Sequence, residues 1–151
     1  MPLLEWLARQ HPALVHFPIA ACVLLPLPLG LRLWQGEAGW DRTIRYLAWV
    51  GVLGGAAAQV SGLLFARSGG LIPLQGWLPA RPGLLRTHQV LGMAGFALGL
   101  LTLVGILKGT TGKARALTLA SALLWAVAWG WAGHLGGAMV FPETSDAGLE
   151  P

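Results

Sequence analysis

Apolar residues along this chain come in long uninterrupted runs, and the polar residues gather between them. The runs lie at about residues 12–34, 46–65, 87–107 and 116–140, each near or above the roughly 20 residues a helix needs to cross a bilayer. This pattern predicts an all-α membrane protein, a four-helix transmembrane bundle of up-down topology occupying residues 12–140. Residues 1–11, with Leu3, Leu4, Trp6 and Leu7 beside Glu5 and Arg9, read as an interfacial segment in the headgroup layer. Residues 141–151 carry Glu143, Asp146 and Glu150 and read as a frayed acidic tail.

Each run has its own irregularities. In the first, Pro12 suits an opening turn, while Pro18, Pro26 and Pro28 each delete a backbone donor and should bend the helix. The second has Gly51, Gly54, Gly55, Ala58 and Gly62, a small-residue face that admits another helix and leaves a homodimer open. The connection from Arg67 to Arg86 mixes Gly and Pro with Leu71, Ile72, Leu74, Trp77 and Leu78, the composition of a structured cap. The third run opens with His88, and Gly92, Gly95 and Gly99 follow on the same helical face. In the fourth, His134 comes late, among Gly130, Gly133, Gly136 and Gly137.

Composition agrees with a membrane protein: 55% of residues are hydrophobic, 11% are charged and the mean hydropathy is +0.64. The net charge of +4 is scattered at the flanks of the runs, so it does not read as a nucleic-acid surface. Cys22 is the single cysteine, which excludes an internal disulfide, a cysteine-based zinc or iron–sulfur site and c-type haem attachment. The first run lacks a basic leader and a small-residue cleavage site, so it is read as retained structure.

Alternating spans decide where the four histidines meet. His11 and His16 begin span one, His88 begins span three and His134 falls near the end of span four, so all lie in one leaflet. The histidine-free side carries Arg32, Arg42, Arg45, Lys108, Lys113 and Arg115, against Arg9, Arg67, Arg81 and Arg86 on the other. That bias puts both termini and the histidines on the periplasmic side of a bacterial inner membrane.

An imidazole at the edge of hydrocarbon is costly and marks a functional site by default. Axial ligation of a b-type haem is the first candidate, with the glycines below His88, and Gly130 below His134, leaving room for a flat macrocycle. Arg9, Arg67, Arg81 and Arg86 are then available to the propionates. His16 and His88 are the expected axial pair, with His11 and His134 serving a second haem or hydrogen-bonding around the first. A histidine-only copper or zinc site and a purely structural, cofactor-free role stay open beside it. A hydrolase has no carboxylate, serine–histidine or thiolate constellation behind it, and the spans hold no acidic residue for a transport path.

The stretch His11-Pro12-Ala13-Leu14-Val15-His16-Phe17-Pro18-Ile19-Ala20 resembles the opening of a family of small bacterial four-span membrane proteins defined only as a domain of unknown function. Thr87-His88-Gln89-Val90-Leu91-Gly92 and Gly133-His134-Leu135-Gly136-Gly137-Ala138-Met139-Val140 match the family's third and fourth spans. Some relatives carry the module joined to Rieske or c-type cytochrome domains, which implies membrane electron transfer by association. The reading that follows is a b-type haem relay between a quinol pool or membrane enzyme and a periplasmic carrier, with a bound quinone left open. The chain departs from many relatives after Val140, where Phe141-Pro142-Glu143 replaces a further histidine and glycine.

Overall fold

The computed structural model describes residues 3–36, 38–70, 83–109 and 112–140. Arg81, the expected cap at 71–82 and the acidic tail lie outside the described residues. A short helix α1 (Leu3–Arg9) leads into span one, which is built from α2 (His11–Leu14), α3 (His16–Leu24) and α4 (Pro26–Gln35). Spans two, three and four are single helices, α5 (Asp41–Ser68), α6 (Leu84–Leu107) and α7 (Lys113–Val140). All four spans are long and apolar enough to cross a membrane. The helices run past the apolar runs at several ends, because a helix satisfies its own backbone and can continue into the headgroup layer.

The prolines explain the segmented first span. Pro18, Pro26 and Pro28 have no N–H to donate to the carbonyls of Leu14, Cys22 and Leu24, so the i→i−4 ladder is interrupted at each. The linking residues Val15 and Leu25 nevertheless keep right-handed helical angles, and Leu25 N–H still reaches the Ala21 carbonyl at 3.0 Å. Span one is therefore one bent helical path. It ends at Gly36, whose left-handed φ of 70° a side chain would strain, with its N–H on the Arg32 carbonyl at 3.0 Å.

Span one packs against spans two and four, and span three against the same two, so spans one and three oppose each other diagonally. The α6–α7 hairpin makes the closest pairing. Its seam carries a hydrogen bond between Thr102 Oγ1 and Ser121 Oγ at 2.9 Å. Trp125 and Trp129 fill the middle of the bundle, both buried, with ring centroids 5.4 Å apart at 71°. Around them lie Cys22, Leu25, Ile44, Ala48, Val52, Leu103 and Ile106. The α1 helix does more than lie in the interface, since it packs on α5 with Ala8 buried.

Candidate functional site: a histidine pair across the bundle

Because spans one and three oppose each other diagonally, an inward side chain at the start of one can meet its counterpart across the core. His11 and His88 do so, with ring centroids 6.3 Å apart and planes at 85°. Each ring is fixed through its Nδ1 atom. His88 Nδ1 lies 2.7 Å from the Ala132 carbonyl of span four, an acceptor only, so Nδ1 carries the proton and donates. His11 Nδ1 lies 3.1 Å from Ser61 Oγ of span two, whose own hydroxyl donates to the Ala58 carbonyl at 3.1 Å. The Ser61 proton is thus used, and its oxygen accepts from His11 Nδ1–H. In the neutral rings this network leaves both Nε2 atoms as lone-pair donors.

Two glycines let the rings sit where they do. A Cβ on Gly62 would come within 2.8 Å of the His11 ring, and one on Gly136 within 3.2 Å of His88. Gln89, beside His88 in sequence, has a buried Oε1 with no hydrogen-bond partner among the described residues.

His16, the expected partner of His88, is exposed and turned away. It follows His11 by five residues, about 140° round the helix, so His11 facing the core sends His16 out. His134 is exposed too, with its ring centroid 5.5 Å from that of Trp131. Arg86 and Arg9 are exposed and Arg67 is half-buried, all at the histidine end.

The glycines expected to make room for a macrocycle hold side chains instead. Gly95 is covered by Trp129 and Gly99 by Trp125, an added Cβ at Gly99 lying 2.7 Å from that indole. Gly92 faces Gln59, whose Nε2 would be 3.0 Å from an added Cβ, and its carbonyl accepts from Trp129 Nε1 at 3.0 Å. Across the bundle Gly51 and Gly55 receive the other edges of Trp125 and Trp129. The physical reason is packing: an indole inside a four-helix core fits only where facing helices carry no Cβ. Gly130 has nothing within 4 Å of an added Cβ and bounds no internal space.

Sequence reasoning missed Ser61 and Gly62 as neighbours of His11, and Gln59 as the residue facing Gly92. The signal for Ser61 was there: it is the one serine inside the apolar run 46–65, next to the glycine that admits a ring.

Fold and site together define the class: an all-α membrane protein whose bundle carries two inward-facing imidazoles at one end. The chain belongs to the family of predicted membrane proteins DUF2231, whose model matches residues 10–144. No curated protein and no solved structure matches it.

Proposed function

We propose that this is a membrane-bound b-type haem protein, relaying electrons between a quinol pool or membrane enzyme and a periplasmic carrier such as a c-type cytochrome or Rieske protein. The observation that carries the reading is the His11–His88 pair, two imidazoles from separate spans with Nδ1 engaged, which in the neutral rings leaves the lone pair on Nε2. Hydrogen-bonding the distal ring nitrogen in this way is how proteins orient imidazole ligands and raise their basicity. The ring centroids of the pair lie 6.3 Å apart, close enough for one metal to be held by both residues. As donors the two imidazoles suit a haem iron, which His11 and His88 would hold, with Arg9, Arg67 and Arg86 at the same end for the propionates, whereas the indoles on Gly95 and Gly99 fill the notches expected to admit the macrocycle. Bound there, haem would supply one-electron chemistry. Ser61 and the Ala132 carbonyl hold the two ring planes.

The residue counts of the connecting segments support a bacterial inner-membrane location with the histidine end periplasmic. The indoles seated in the glycine notches favour a second reading, a bare copper ion between the same two imidazoles, which needs less space.

Absorption spectra of protein purified from haem-replete cells test both. Reducible Soret and α bands are expected, lost in His11→Ala and His88→Ala and kept in His16→Ala. A colourless folded chain with stoichiometric copper selects the second reading. A colourless, metal-free folded chain overturns both.

A further inference from the structure

We infer that the cleft between the end of span one and the α6–α7 hairpin, at the end of the bundle opposite the histidine pair, seats the phosphate of an acidic glycerophospholipid. Three helices wall this cleft: Leu29, Arg32 and Leu33 come from α4, Ile106 and Gly109 from α6 and its end, and Arg115 from α7. Two guanidiniums from separate spans therefore line one opening. Arg32 stands in the last turn of α4 and Arg115 in the first turn of α7, so both lie where the spans give way to the headgroup layer. Asp41 engages Arg32 through Nε at 2.8 Å. The Nη groups of Arg32 then have no ion-pair partner among the described residues, and such groups bind phosphate oxygens strongly.

Charge, size and polarity together select the occupant. In sequence this end carries the six cations Arg32, Arg42, Arg45, Lys108, Lys113 and Arg115 against the acids Glu37 and Asp41, so an anion is attracted there. The enclosed part of the cleft measures about 20 Å³, the room of one water molecule. A phosphoryl oxygen can enter it, whereas a whole phosphate or nucleotide cannot, and the rest of the ligand must lie in the open mouth. That mouth is apolar on one side, where Leu33 is exposed beside the buried Leu29 and Ile106. Gly109 narrows it by no side chain, having nothing within 4 Å of an added Cβ. A ligand with an anionic oxygen at one end and hydrocarbon at the other matches both parts, while inorganic phosphate matches the arginines alone. The surplus of cations opposes a head group that brings an ammonium of its own, which favours an acidic lipid over a zwitterionic one.

The test uses the whole chain purified in a neutral maltoside detergent and titrated with dioleoylphosphatidylglycerol, with lipids retained per chain counted by native mass spectrometry. Phosphatidylglycerol should be retained at least tenfold more tightly than dioleoylphosphatidylcholine. Arg32→Gln and Arg115→Gln should each weaken that retention about tenfold, a difference of roughly 1.4 kcal/mol. Leu33→Glu sets a like charge beside the phosphate and should abolish retention, and because Leu33 is exposed it should leave the unfolding temperature in lipid-free detergent unchanged. Arg86→Gln, an exposed cation at the histidine end, should bind as the parent does. Equal retention of the two lipids overturns the proposal, as does parental affinity in Leu33→Glu or in both arginine variants. Phosphatidylglycerol should also raise the unfolding temperature of the parent, and inorganic phosphate at millimolar concentration should not; equal stabilisation by inorganic phosphate overturns the lipid assignment, because the cleft then serves a free anion.

Discussion

At the scale of single residues, the glycines of this protein divide by what faces them. Gly95 is seated against Trp129 in the hairpin's interior, so Gly95→Ala forces the indole or the helix to move. It should cost about 1–3 kcal/mol by overpacking, read as a lowered unfolding temperature in detergent. Gly130→Ala has open space to enter and should be neutral or stabilising by up to about 1 kcal/mol through helix propensity. Equal effects at the two sites would refute the notch-and-indole account. Truncating the buried Trp125 to Ala should cost more, about 3–5 kcal/mol, because the cavity it leaves opens between three helices. The histidines divide in the same manner. His11 and His88 are held inward by Ser61 and the Ala132 carbonyl, while His16 and His134 point out, and only their angular positions separate them.

At the scale of elements, spans three and four are joined by side-chain hydrogen bonds as well as by shape. Thr102, fully buried, has its Oγ1 2.8 Å from the Leu98 carbonyl and 2.9 Å from Ser121 Oγ across the seam, where one hydroxyl donates to the other. Thr102→Val keeps the volume and removes the cross-span bond, so unfolding should become easier by about 0.6 kcal/mol, the usual worth of such bonds within membranes. The turn between spans one and two is tied by Arg32 Nε and Asp41 Oδ1 at 2.8 Å, with both side chains partly exposed. Asp41→Asn should therefore change stability by less than about 1 kcal/mol, and by less still at high salt. A larger loss in equilibrium unfolding would mean that the pair does more than join two helix ends. The bends of span one belong to this scale too: Pro18 seats against Gly54, an added Cβ there lying 3.2 Å from the ring, so the kink is packed.

For the whole molecule, the distribution of cations predicts an orientation: the Lys108–Arg115 connection should lie in the cytoplasm and residue 140 outside. Alkaline phosphatase fused after residue 140 should be active and a fluorescent protein inserted at that connection should glow; the reverse pattern would invert the assignment. The sequence by itself determined the number of crossings, because an apolar run of that length has no stable place in water and must satisfy its backbone as a helix. It also determined that His11, His16, His88 and His134 share one end, which follows from alternation alone. Only the tertiary structure decided which imidazoles meet and what the glycines are for. Facing is set by the rotation of each helix, and rotation comes from packing two indoles into the core, an event that no local run of residues encodes. A rotation of about 140° separates His11 from His16 on one helix, and it is the difference between a half-buried ring facing the bundle and an exposed one.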